Sequence, residues 1–289
     1  FEYDPRGERA TRDIVSRSMF SEMRAGKTTP QGGLYISMGH LGPDKVRRQF
    51  KGMVERCADC GFDLAGGLVE VVPTAHYLMG GVVCAVDTST AFEGLYVAGE
   101  DAGGVHGANR LGGNGVANST VFGGIAGETM AAAIKAGLGR RTIDEDVLAA
   151  EVERAQHPFS KPPKLLNKIR DRLLDLMWDD VGIIRDATSL KRAAGELDGL
   201  EADLLAAGCA DGVRAFNMTW HDWLNLRSQI EMSKVVTAAA LARENSRGAH
   251  FRSDFPGEGD LATSAFTVVT SGGGKIDLSL EPVQFTRVR

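Results

Sequence analysis

Three runs decide how this chain is read: PTAHYLMGG (Pro73–Gly81), LYVAGE (Leu95–Glu100) and HGANRLGGN (His106–Asn114). A short apolar run stops at Gly99-Glu100, a glycine loop follows, and a helix is expected to start near Val116 and run to about Ala136. Between Gly99 and Gly127 there are ten glycines in 29 residues. Glycine carries no Cβ, so such a loop can bring main chain close to a ligand. An acidic residue at a strand end, here Glu100, can accept from a ribose or ribityl hydroxyl. The helix start directs the positive end of its dipole at something anionic.

Working outward, the chain has 289 residues and a formal charge of −5. That length allows about two domains and a large core. Mild acidity argues against a nucleic-acid partner, which needs a basic face. Glycine is in excess, 36 residues, but without the three-residue period of collagen. No apolar run reaches the ~18 residues of a membrane span, and no signal peptide is visible. The four cysteines are too few for a disulfide scaffold and fit a reducing, cytosol-facing compartment. Cys57 and Cys60 form a lone CxxC. Val46, Phe50, Met53, Cys57 and Cys60 recur at helical spacing, so both thiols are expected on a buried face rather than on a metal.

The periodicity predicts helices over Arg12–Ala25 and Asp44–Cys60, and strands over Leu68–Pro73, Gly81–Val86 and Leu95–Ala98. Beyond Gly139 glycine thins out. Leu166, Ile169, Leu173 and Leu176 mark one helix. Leu190, Leu197 and Leu204 mark a second, with Thr188 or Ser189 as N-cap. Trp220, Leu224, Ile230 and Leu241 lie on a long third, completing an antiparallel bundle. The Trp220/Trp223 pair reads as packing. After Pro256, the runs Ala265–Thr270, Lys275–Leu280 and Pro282–Val288 alternate like strands, with Ser271–Gly274 as a turn. The fold class is α+β.

Several apparent signals carry no chemistry. Gly26-Lys27-Thr28 looks like the end of a phosphate loop, but Ser21 occupies the required glycine position and a helix precedes it. No G-x-S-x-G nucleophile elbow occurs. The histidines are not at metal-ligand spacing, so no metal is expected. The surviving signal is the glycine loop and helix start. A flavin, whose N1–C2 carbonyl region gains negative charge on reduction, suits that end of a helix.

The stretch from PTAHYLMGG through HGANRLGGN to VFGGIAGE (Val121–Glu128) resembles the flavoprotein subunit of succinate dehydrogenase and fumarate reductase. RDIVSR (Arg12–Arg17) is similar to that family's segment with the active-site arginine. LARENSRGAHFRSDFP (Leu241–Pro256) resembles the motif that closes its helical domain. The resemblance implies an FAD-dependent oxidoreductase interconverting succinate and fumarate, with hydride passing between flavin N5 and a C4 dicarboxylate. It implies that Arg12 moves the proton, that His76 and Arg110 hold the substrate carboxylates, and that Glu100 lies on the ribityl side of FAD. Asn114, Gly115 and Val116 fall at the flavin-edge turn. The family often has N-S-L there, so at Gly115 only the backbone donors carry over. Arg247 and His250 are expected to hold the helical domain to its neighbour.

The resemblance also implies an organisation. Residues 1–70 finish a capping domain, 71–137 form the C-terminal segment of the Rossmann-like FAD domain, 138–252 the helical domain and 253–289 a small β region. No G-x-G-x-x-G dinucleotide fingerprint occurs in the chain. The chain is therefore expected to be the C-terminal portion of a flavoprotein and to bind FAD poorly without its N-terminal FAD-binding half. Electrons are expected to pass to a separate iron–sulfur subunit, since no cluster-binding cysteine pattern is present. The expected location is cytoplasmic, or peripheral on the cytoplasmic membrane face through partner subunits. L-aspartate oxidase is a close alternative and adenylylsulfate reductase a distant one. From a different class, the chain could be an inert docking fragment without FAD.

Overall fold

The structure, a computed structural model, describes residues 2–139, 142–272 and 275–285. It divides into two units, residues 1–77 and 78–289. Among the described residues no helix is long and apolar enough to cross a membrane.

In the first unit α1 spans Arg12–Arg24, as its four-residue apolar spacing predicts. The second expected helix is broken into α2 (Pro43–Gln49) and α3 (Lys51–Asp59). Phe50, at φ −122° and ψ 33°, leaves the helical region between them. The break lets Val46 and the set Phe50, Val54 and Cys57 reach one small core with Leu64, Ala65 and Val69. A continuous stripe is thereby lost: Met53 is 50% exposed and Cys60 lies on the surface, not on a buried face. β1 (Leu34–Ile36) pairs antiparallel with β2 (Val69–Val71), with Tyr35 opposite Glu70. Glu70 Oε1 in turn accepts from the Thr29 hydroxyl and from Gly33 N–H, closing the turn before β1.

The second unit opens with irregular chain rather than the two strands expected over Gly81–Val86 and Leu95–Ala98. Each run makes one isolated bridge, Val82 with Ala102 and Ser89 with Tyr96. After Val82 the chain turns through Thr88, at φ 72°, before a ladder can extend. Val83 and Val86 are 65% and 85% exposed, so the β-branched run finds no ladder partner among the described residues.

α4 (Asn114–Lys135) starts two residues earlier than expected. α5 (Glu145–Gln156), which the apolar spacing did not announce, is capped by the Asp144 side chain on Asp146 and Val147 N–H. The core lies between α6 (Leu166–Asp180), α7 (Ala187–Leu205) and α8 (Met218–Ala242), around Leu173, Leu197, Leu200, Leu204, Trp223 and Ile230. Trp223 is fully buried, and its indole N–H is shared between Leu204 O and Ala207 O, both at 3.0 Å, satisfying carbonyls at the end of α7. The α7 cap is Asp186, not Thr188 or Ser189. Its carboxylate accepts from both of their N–H groups, and the Ser189 hydroxyl accepts from Asp186 N–H in a capping box.

β3 (Ala265–Gly272) and β4 (Lys275–Pro282) form one antiparallel hairpin. Gly273 and Gly274 of the expected turn lie outside the described residues. The third expected strand, Pro282–Val288, is not formed where described: Pro282 ends β4, and Val283 N–H instead donates to Ser264 O (2.8 Å). Thr286–Val288 lie outside the described residues.

The bundle core predicts that Leu197→Ala, at a site with no solvent exposure, lowers unfolding free energy by about 2–5 kcal/mol. Urea unfolding followed by circular dichroism reads the shift in midpoint.

Candidate active site

The second unit builds its glycine-rich surface from a close crossing of two main-chain segments. Val82 N–H donates to Asp101 O (2.7 Å), and Gly103 N–H donates to Val82 O (3.0 Å). Only glycine permits that approach at position 81, where a Cβ would lie 2.4 Å from Asp101 O. At the head of the same strip, Leu78 N–H donates to Glu100 Oε1 (2.8 Å). Arg110 N–H meets Met79 Sδ at 3.0 Å. Glu100 and Arg110 are therefore tied to adjacent residues of one strip. Glu100 itself is exposed, and its second oxygen remains an acceptor.

A buried amide joins this crossing to α4. Asn118 Nδ2 donates to Gly99 O (3.0 Å) and lies 3.2 Å from His106 Nε2. One NH₂ can serve both, which makes His106 Nε2 an acceptor. Arg110 is half-buried, with Nη1 donating to Leu111 O (3.1 Å). Gly113, at φ 83°, then turns the chain into α4 in a left-handed conformation that favours glycine. Asn114 N–H turns back to Leu111 O (3.2 Å). No side chain caps α4. Among the described residues no acceptor faces the N–H groups of Gly115 and Val116, and Val116 is 77% exposed. Two open donors at a helix N-terminus make an anion-binding edge.

Behind the loop stands the segment Arg243–Phe255, in which Arg247 and His250 are expected to hold the helical domain to its neighbour. Arg252 is 1% exposed. Its Nε and Nη2 grip Asp254 (2.8 and 2.7 Å), while Nη1 donates to Ala240 O, Leu241 O and Arg243 O at the end of α8. Asp254 Oδ2 also accepts from Ala187 N–H (2.9 Å), the first residue of α7. The Arg252 fork holds the Asp254 carboxyl well below the usual carboxylate range. His250 Nδ1 accepts from Arg185 Nη1 (2.9 Å), and Nε2 donates to Arg243 O (3.3 Å). Burial, reinforced by Arg243 and Arg185, pushes His250 down to about 4. Burial likewise pulls Arg185 down to about 10.

Arg12 and His76 belong to the first unit. Arg12 is the exposed first residue of α1, and no salt bridge or side-chain hydrogen bond engages it among the described residues. A cation at that end of a helix opposes the dipole. His76 is exposed in irregular chain beyond β2. No hydrogen bond links the two within their unit. The structure thus brings together Glu100, Arg110 and the Asn114–Val116 turn. Met79, Asn118, Gly248 and Ala249 join that group without having been anticipated. Of these, only Gly248 had a local signal, a glycine inside a charged, non-repetitive motif. Among the described residues no group of three or more His, Cys, Asp or Glu can hold a metal ion.

Comparison with known proteins identifies the chain's relatives. Residues 3–116 match a family model described as an FAD binding domain, and residues 170–289 match one described as the fumarate reductase flavoprotein C-terminus. One subunit of the CoM/CoB fumarate reductase of Methanothermobacter marburgensis is 38% identical over 254 residues, covering 88% of this chain and 46% of that protein. L-aspartate oxidase of Synechocystis is 30% identical over 275 residues, covering 89% and 48%. Among solved structures, FrdA from an E. coli quinol fumarate reductase variant superposes with a TM-score of 0.87 at 30% identity, covering 96% of this chain and 49% of that one. The chain belongs to the FAD-dependent succinate dehydrogenase and fumarate reductase flavoprotein family. It spans about half the length of the curated relatives it matches. FAD is the cofactor that this membership specifies.

The His250 environment makes a pH prediction. Its pKa falls from an ordinary 6.5 to about 4 in the fold, so the unfolded chain binds the extra proton first. The stability that His250 contributes is complete above pH 6.5 and is lost as pH falls toward about 4. His250→Gln should flatten the decline in melting temperature across that interval relative to the unaltered protein, as read by scanning calorimetry at stepped pH.

Proposed function

We propose that this chain supplies the substrate face of a flavoenzyme that interconverts succinate and fumarate. The observation that carries the reading is the turn from Arg110 to Val116. It places a guanidinium beside a helix start whose N–H groups are open, in a chain of this family. The residues present fit FAD. The Gly115 and Val116 donors suit its electron-rich edge, and the free oxygen of Glu100 suits a ribityl hydroxyl. When bound, FAD supplies the hydride donor or acceptor.

The chain's own residues do the rest. The planar donors of Arg110 bind one carboxylate of a C4 dicarboxylate, bidentate where geometry permits. His76 donates to the other. Together they fix the substrate's central carbons, and such alignment contributes a substantial part of the rate gain in a transfer of this kind. Arg12 holds the proton exchanged at the carbon opposite the hydride. Arginine is ordinarily protonated, so Arg12 acts within a relay that returns its proton. The absence of a competing carboxylate at Arg12 among the described residues supports this role.

The remaining half of such an enzyme, with the dinucleotide fingerprint, supplies the ADP side of the FAD site. A separate iron–sulfur subunit takes or gives the electrons, a reading supported by relatives named as subunits. A cytoplasmic or peripheral location at the cytoplasmic membrane face follows from that assembly. The 30% identity to L-aspartate oxidase favours a second reading, in which the same residues hold aspartate.

Joined to its N-terminal FAD-binding half and loaded with FAD, the protein should reduce fumarate with an artificial electron donor and leave aspartate unoxidised. Arg12→Ala should lower kcat by about 10²–10⁴-fold while the visible flavin spectrum is retained. Unchanged turnover removes Arg12 from the mechanism. Oxidation of aspartate instead of fumarate reduction selects the second reading, and a colourless, inactive protein leaves a docking fragment.

A further inference from the structure

The turn Ser246-Arg247-Gly248-Ala249-His250 is far from the glycine loop in sequence, and no substrate or cofactor role has been given to it. It nevertheless touches the loop that carries Arg110. Ala249 N–H donates to Ala108 O at 3.1 Å, two residues before Arg110. Gly248, at φ +57°, lies so close that a Cβ would stand 2.1 Å from Ala108 O and 3.0 Å from Asn109 Cβ. The loop needs an external hold. Gly103, Gly104, Gly107, Gly112 and Gly113 leave its backbone with wide conformational freedom.

The turn is itself braced. Arg247 N–H donates to His250 O (2.9 Å), and His250 N–H donates back to Arg247 O (3.1 Å). The Arg247 guanidinium reaches Glu258 O, Asp260 O and the Ser264 hydroxyl. The His250 ring bridges Arg185, in the α6–α7 connection, to Arg243 O just past α8. The Ser246 hydroxyl accepts from Arg252 N–H and donates to Phe255 O. Every support of the turn therefore comes from the helical bundle or the chain leaving it.

We propose that this turn sets the placement of Arg110, with Gly248 and His250 as positioning residues for the dicarboxylate-binding guanidinium. This deepens the proposed function and rests on it. Gly248 keeps the approach to Ala108 open. The Ala249 N–H fixes the Ala108 carbonyl. His250 holds the turn at the height set by the bundle. A misplacement on the order of 1 Å at a substrate-orienting group costs up to ~10²-fold in rate, so the bundle contributes to specificity without touching substrate.

The test uses the protein joined to its N-terminal FAD-binding half and loaded with FAD, carrying Gly248→Ala, His250→Ala or His250→Gln, each alone and combined with Arg110→Ala. Gly248→Ala and His250→Ala should raise KM for fumarate about tenfold, more than they lower kcat. His250→Gln, which can keep an acceptor and a donor, should recover most of the loss. In the Arg110→Ala background the same changes should add little, because coupled sites are non-additive. Amide exchange of residues 104–112 should accelerate in Gly248→Ala and His250→Ala while α6–α8 exchange as before. Full additivity with Arg110→Ala, or unaltered exchange in the loop, overturns the positioning role. If Arg110→Ala alone leaves KM unchanged, the substrate role of Arg110 falls, and loop exchange decides the placement by itself. Should Gly248→Ala fail to fold, the two His250 variants carry the comparison.

Discussion

Everything near the candidate site hangs from one buried guanidinium. Arg252 places one edge against the Asp254 carboxylate and the remaining nitrogen against three carbonyls at the end of α8. Asp254 then accepts from the first N–H of α7. A helix C-terminus carries partial negative charge and a helix N-terminus partial positive charge. The Arg252–Asp254 pair inserts a charge of the opposite sign at each. Without Asp254 the buried Arg252 guanidinium would lose its carboxylate partner, and so this junction, together with the leucine core, ties α7 to α8.

From that junction the supports run outward without a gap. The α8 exit fixes Arg243, Ser246 and His250, and the turn they brace meets Ala108. Ala108 leads to Arg110, Arg110 to Met79, and Glu100 to Leu78. The glycines act at points where main chain meets main chain, at Gly81 against Asp101 and at Gly248 against Ala108.

The parts legible in the sequence were those governed by local spacing. Leu166, Ile169 and Leu173, or Leu190, Leu197 and Leu204, repeat with the helical period, and the bundle they predict is the bundle that forms. The break at Phe50 was not legible, because the residue conforms to the stripe and departs from it only to reach a core shared with Leu64 and Val69. The strands expected at Gly81–Val86 and Leu95–Ala98 had the right composition but lacked a ladder to join. Thr188 and Ser189 looked like caps because their side chains suit the role, yet Asp186 uses their backbone N–H groups. At the site, Glu100 and the start of α4 could be read from the glycine loop, whereas Arg110 and Arg12 needed the resemblance. Gly248 stood out only as a glycine in a charged motif, and its partner Ala108 could not be read because the contact joins segments far apart along the chain.

The burial of Trp223 has a practical side. The three tryptophans, Trp178, Trp220 and Trp223, all lie on α6 or α8, and the first unit has none. Trp223 is sealed between the end of α7 and the bundle core, while Trp178 and Trp220 are half-buried. Intrinsic fluorescence excited at the indole band therefore follows the bundle alone. It is silent about the unit that carries Arg12 and His76, whose aromatic signal comes from Tyr3, Tyr35 and Tyr77 and from phenylalanines. A denaturation curve recorded only by tryptophan emission would look complete and simple even if the first unit had opened earlier.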